Sequence, residues 1–234
     1  RNNISALNAS GNTGLKVLNC SNNQLTSLNV QGLSSLEFLS CDNNQLTSLN
    51  VQQGLTQLGR LYCDNNQLTS LNVQGLTQLE RLSCDNNQLT SLNVQGLSSL
   101  TYLSCDNNQL TSLNVQGASS LENLECNNNQ LTSLDVQGLS DLKFLRCYRN
   151  PYTNTTLGIN QIYCQLPSRS GSNAGEIFVS GQPQNSVEPF VIDTDGSIAT
   201  GKNWAIKGYD SQTIKPYAIP TNGQAYVCGS VPPP

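Results

Sequence analysis

The sequence predicts a solenoid, a stack of short coils around one shared apolar interior, and two observations carry that expectation. The first is self-similarity at a fixed period. The run Leu36-Glu37-Phe38-Leu39-Ser40-Cys41-Asp42-Asn43-Asn44-Gln45-Leu46 returns in the same frame at Leu15, Leu58, Leu79, Leu100, Leu121 and Leu142. Its cysteines, Cys20, Cys41, Cys63, Cys84, Cys105, Cys126 and Cys147, step by 21 residues, with one step of 22 where Gln53 is inserted. A unit this short cannot bury its own apolar face and must stack on copies of itself. The second observation is the pattern within each copy. Leu39 and Cys41 alternate with Phe38 and Ser40, as in a strand with one buried face. Leu33, Leu36, Leu46, Leu49 and Val51 recur in register and must point inward with them.

Each part of the coil follows from this frame. The strand should pair in parallel with the strands of neighbouring coils, roughly 4.8 Å away. After it the chain turns, leaving backbone groups without ladder partners. Asn44 and its equivalents Asn23, Asn66, Asn87, Asn108, Asn129 and Asn150 occupy that turn. An inward Asn offers two donors and two acceptor lone pairs to satisfy those groups. The returning arc, Leu46 to Gln52, ends in strand-like alternation and then a glycine turn, Gly54 in this coil. It is too short for a regular helix, so the back should be extended or 3₁₀-like.

The ends depart from the repeat. Ile4 to Ala9 match the latter half of a coil, so residues 1–14 read as a partial N-terminal repeat with more protein expected before it. Residues 15–157 hold the repeats, and the frame breaks at Pro151. Residues 158–228 read as a capping region: Ile159, Ile162, Tyr163 and Leu166 have helical spacing ending at Pro167. There Glu176–Val179 and Asn203–Lys207 read as strands, and Gly196 to Gly201 as room for a short helix. Residues 229–234 form a Pro-rich linker, after which the native chain is expected to continue.

The frame L-x-x-L-x-C-x-x-N-x-L resembles a leucine-rich repeat in which Cys replaces the usual apolar residue. It is similar to bacterial internalin-J-like repeats, whose stacked cysteines form a ladder, and to repeat proteins secreted by Bacteroidetes. The likeness covers residues 4 to about 157. Tyr163-Cys164-Gln165-Leu166-Pro167-Ser168-Arg169 and Ala199 to Trp204 resemble the C-terminal region of such Bacteroidetes surface proteins. The resemblance implies a leucine-rich-repeat solenoid with a parallel β-sheet on its concave face and an α/β C-terminal cap. It also implies an extracellular or cell-surface location.

Composition narrows the function. The chain of 234 residues has a net charge of −4, which argues against a nucleic-acid binder needing a basic face for phosphates. No stretch approaches the roughly 18 apolar residues of a membrane span. Histidine is absent, which removes the commonest general base and metal ligand, so no enzyme and no cofactor are expected. The cysteines stand one per coil rather than in the close pairs of zinc sites, so they read as a reduced structural ladder without metal. Cys164 and Cys228 lie outside the ladder and could pair in an extracellular setting.

Where the copies disagree is informative. The first outward strand position runs Val17, Phe38, Arg60, Arg81, Tyr102, Asn123, Phe144, and the second runs Asn19, Ser40, Tyr62, Ser83, Ser104, Glu125, Arg146. Scaffold positions are copied nearly verbatim while these vary, and aromatic and Arg residues are the types that anchor interfaces. Phe38, Arg60, Tyr62, Arg81, Tyr102, Glu125, Phe144 and Arg146 are therefore the candidate ligand-binding set. The expected partner is a protein or surface glycan of a host or neighbouring cell, in adhesion or colonisation. Two rival readings use other features. The outward row Thr26, Thr47, Thr69, Thr90, Thr111, Thr132, with Asn residues nearby, resembles an ice-binding array, and a solenoid can also serve purely as a spacer. The column Asp42, Asp64, Asp85, Asp106 offers carboxylates suited to calcium, or else acceptors for turn hydrogen bonds or partners for Arg60 and Arg81.

Overall fold

The computed structural model describes residues 3–52, 54–151, 156–168, 175–181 and 204–209. The frame's short strands appear at β2 (Val17–Asn19), β4 (Phe38–Ser40), β5 (Arg60–Tyr62), β6 (Arg81–Ser83), β8 (Tyr102–Ser104), β10 (Asn123–Glu125) and β11 (Phe144–Arg146). They pair in parallel and in register, each central Leu opposite the next. On the back, β1 (Ala6–Asn8) pairs with β3 (Ser27–Asn29), and β7 (Ser91–Asn93) pairs with β9 (Ser112–Asn114). The first of these pairings sets Ala6–Asn8 in register beside the returning arc of the following coil. The back is extended, as the short arc requires.

The core is one continuous column. Leu36, Leu39, Cys41, Leu46 and Val51 are wholly buried, and so are their equivalents through the later coils. Burying one Leu contributes about 1.5–3 kcal/mol, so stacking is the dominant stabilising term. Two polar devices lock each turn. The first Asn of each Asn-Asn pair adopts left-handed backbone, φ 53–56°, a conformation Asn tolerates better than most residues. Arg149 takes that place in the last coil at φ 53°. The second Asn turns inward and bonds two coils at once. Asn87 donates to the carbonyls of Cys63 (3.0 Å) and Cys84 (3.1 Å) and accepts from the Leu68 N–H (3.0 Å). The turn needs glycine at Gly117 because its φ is 76°, in the left-handed region that side chains with a Cβ rarely adopt.

Beyond the repeats come helix α1 (Thr156–Gln165) and strands β12 (Gly175–Gly181) and β13 (Trp204–Tyr209). Both strands extend the main sheet in parallel, giving the order β13-β12-β11-β10-β8-β6-β5-β4-β2. Ile162, Tyr163, Leu166 and Ile177 join the core cluster, and Gln165 accepts from the Val136 N–H (3.0 Å). Cys164 is disulfide-bonded, while Cys228, its expected partner, lies outside the described residues. So does the expected helix at Gly196 to Gly201. No helix among the described residues is long and apolar enough to cross a membrane.

Candidate functional site

Strand alternation sends Leu inward and its two neighbours onto the outer face of the main sheet, where the candidate residues line up. The structure divides them into two groups. In the C-terminal half the side chains consume one another. Tyr102 donates its hydroxyl to Glu125 (3.2 Å), Arg146 bonds the same carboxylate (2.9 Å), and the Arg146 guanidinium lies 4.8 Å from the centre of the Phe144 ring. Burial, with Glu125 beside it, pushes the Tyr102 hydroxyl up to about 12.

The N-terminal half is open. Phe38 and Tyr62 form a tilted aromatic pair 5.7 Å apart. Arg60 and Arg81 are exposed, in-register neighbours on β5 and β6. Arg81 lies over the Tyr102 ring at 5.9 Å, and neither guanidinium meets a carboxylate among the described residues. At the N-terminal ends of these strands is a cleft of about 490 Å³ lined by Val17, Glu37, Phe38, Gly59, Arg60 and Glu80, with Gln57 and Gln78 at its side. Sequence reasoning overlooked this cleft. Its signal was present in the column Lys16, Glu37, Gly59, Glu80, Thr101, Glu122, Lys143, where one coil alone lacks a side chain. The backbone does not demand that glycine, because a Cβ at Gly59 would make only ordinary contacts with carbonyls at 3.6 and 3.7 Å.

The second outward position differs from the expectation of an open row. Ser40, Ser83 and Ser104 point outward yet are buried. The Asp column contributes to covering them. Asp64 accepts from the Ser83 hydroxyl (2.6 Å) and the Asp85 N–H (2.8 Å), and Asp85 accepts from the Ser104 hydroxyl (2.7 Å) and the Asp106 N–H (2.7 Å). Asp42 turns back to Ser40 (2.6 Å), since the next coil offers Tyr62 rather than Ser. Asp64, Asp85 and Asp106 thus serve as acceptors binding coil to coil, Asp42 serves as one within its own coil, and none of the four forms a salt bridge with Arg60 or Arg81. Burial pushes Asp85 up to about 6 and Asp106 up to about 8, the latter also facing Asp85 and Glu125. Among the described residues no group of three or more Cys, Asp or Glu side chains is arranged to hold a metal ion.

The seven ladder cysteines carry thiols outside any disulfide, and all are buried. Cys84 Sγ donates weakly to the Ser104 carbonyl of the next coil (3.5 Å). On the back, the Thr row is exposed throughout. Thr26 and Thr111 each donate to a carbonyl of the preceding coil, and the neighbouring Asn50 and Asn93 accept from the N–H two residues on.

Three solved structures place this architecture among known proteins. The functional domain of InlJ from Listeria monocytogenes, which includes a cysteine ladder, is 34% identical over 63% of this chain and 42% of that one, with a TM-score of 0.38. The internalin InlF of the same organism is 29% identical, covering 59% and 43%, with a TM-score of 0.52. YopM, a leucine-rich effector of Yersinia pestis, is 30% identical, covering 59% and 38%, with a TM-score of 0.52. The fold likeness rests on the last two. The chain spans about two-fifths of the length of these structures. No protein-family model and no curated protein matches it. The chain is a leucine-rich-repeat-type β-solenoid similar to the bacterial internalin InlF and to YopM, with a buried cysteine ladder of its own.

Proposed function

We propose that this chain is a non-enzymatic recognition module, working outside the cell or at its surface, that binds a partner protein through the outer face of the main sheet. The observation that carries the proposal is the pairing of conserved coils with a varied face. Copies that agree at nearly every scaffold position differ at the outward strand positions, and there they hold the Phe38–Tyr62 pair beside Arg60 and Arg81, whose guanidiniums meet no carboxylate among the described residues. Large aromatic and Arg side chains are those that dominate binding energy at interfaces. The likeness to internalins and to a leucine-rich effector supports the same reading.

The test combines two sets of replacements with one binding assay, a pull-down from host surface extract run beside a glycan array. Replacing Arg60, Tyr62 and Arg81 with Ala should abolish binding, and the two changes at the exposed Arg60 and Arg81 should shift stability little, usually within about 0.5 kcal/mol each. Replacing the exposed Thr47, Thr69, Thr90 and Thr111 should leave binding intact. Loss of binding with the Thr set alone would move the functional face to the back of the solenoid.

A further inference from the structure

We infer that the Arg60–Arg81 pair, beside the Gly59 cleft, is a subsite for a single acidic side chain, Asp or Glu, presented by a partner protein. The inference rests on the recognition reading above and makes it specific. Arg60 and Arg81 hold the same position on adjacent parallel strands, whose backbones run roughly 4.8 Å apart, so two like charges rise side by side from the sheet and disfavour each other. Elsewhere on this face the chain neutralises its cations across coils: Lys16 meets Glu37, Lys143 meets Glu122, and Arg146 meets Glu125, each pair 21 residues apart. At Arg60 and Arg81 the same spacing brings together two cations, and among the described residues neither meets a carboxylate. A ligand carboxylate placed between them would receive two guanidinium forks, the strongest class of hydrogen bond available to it.

The surroundings choose the kind of ligand. Glu37 and Glu80 stand on either side of Gly59, so a polyanion laid along the cleft would meet two carboxylates, and the chain's net charge of −4 opposes it further. One acidic side chain flanked by neutral or basic residues meets no such opposition. Phe38 and Tyr62 supply an apolar wall for the aliphatic part of such a segment. The missing side chain at Gly59 leaves room for its backbone.

The test pans the full chain against a displayed library of random peptides and measures synthetic versions of the winners. Enriched peptides should share one Asp or Glu bordered by neutral or basic residues. Arg60→Gln and Arg81→Gln should each weaken the best peptide roughly tenfold or more, the loss expected of a charged hydrogen bond. Replacing the peptide's acid by its amide should weaken it similarly, and Arg60→Gln should then add little. Arg60→Gln should also leave the melting temperature of the free chain at low salt unchanged or raised, because it removes a repulsion. The inference is overturned by an empty selection, by winners without an acid, by a lowered melting temperature in Arg60→Gln, or by tight binding of sulfated or sialylated glycans lost in the Arg variants. If Tyr62→Ala abolishes peptide binding while Arg60→Gln with Arg81→Gln does not, the subsite fails and the recognition face stands. If neither does, the recognition face fails as well.

Discussion

Burial acts on the ladder thiols and on the buried carboxylates Asp64, Asp85 and Asp106 in one direction, favouring the neutral form of each. It pushes Cys20 up to about 11 and raises Cys63, Cys84 and Cys105 well above the ordinary thiol value. Since the thiolate is the nucleophile and the metal ligand, these thiols serve packing. Cys84→Ser should cost about 1–3 kcal/mol by burying a more strongly solvated hydroxyl, and Cys84→Ala should cost less. A thiol reagent should find the ladder cysteines only after denaturation, and reaction in the native state would contradict their burial. Asp85 and Asp106 have a different consequence. Their folded pKa values exceed the unfolded value, so between about pH 4 and pH 8 the native state binds more protons than the unfolded one. Their contribution is full below the unfolded pKa and is lost as pH rises through 6 and then 8. The melting temperature should therefore be higher at pH 5 than at pH 7.5. Asp106→Asn, the residue type already at Asn127 in the next coil, should flatten that slope. An unchanged slope would remove Asp106 as its source.

The turn is the element in which two adjacent asparagines have unlike roles. Asn87→Ala would strip the Cys63 and Cys84 carbonyls and the Leu68 N–H of a buried partner at once, a loss of about 3 kcal/mol or more. Asn86→Ala removes none of these bonds and loses only tolerance of left-handed backbone, about 1 kcal/mol. Chemical denaturation of the two variants should preserve that order, and equal losses would mean the inward ladder is not what joins the coils. The inward Asn was legible in the sequence because its place in the frame follows a strand and precedes an apolar residue. The pairing of Glu125 with Arg146 was not read there, since both were counted as ligand-binding residues, although opposite charges stand one period apart. The burial of Ser104 was not legible, since it depends on what neighbouring coils lay over it, and a period of 21 does not report side-chain cover. The Gly59 cleft escaped for the opposite reason. A missing side chain changes no pattern of inward residues, and its meaning depends on Glu37 and Glu80 standing on either side.

Across the whole molecule, each coil is stabilised by its two neighbours, so the ends of the stack carry its weak points. At the C-terminal end, α1 contributes Ile162, Tyr163 and Leu166 to the core, and β12 pairs with β11, the Glu176 N–H bonding the Lys143 carbonyl at 2.9 Å. We propose that the C-terminal region seals the stack, as the sequence leads one to expect of residues 158–228, and this leads to the last prediction. A chain ending at Leu157 would uncover Leu139, Leu142 and Leu145, which are now almost wholly buried, at about 1.5–3 kcal/mol for each fully exposed. It would also turn β11 into a free edge, a template for pairing with another chain. Both changes favour self-association, so the shortened chain should run as aggregates in size-exclusion chromatography with light scattering, and the early coils should melt at a lower temperature. Removing residues 229–234 alone is the control and should alter neither reading. A monodisperse chain ending at Leu157, melting where the full chain does, would show that the repeats close themselves and would release the C-terminal region for another task.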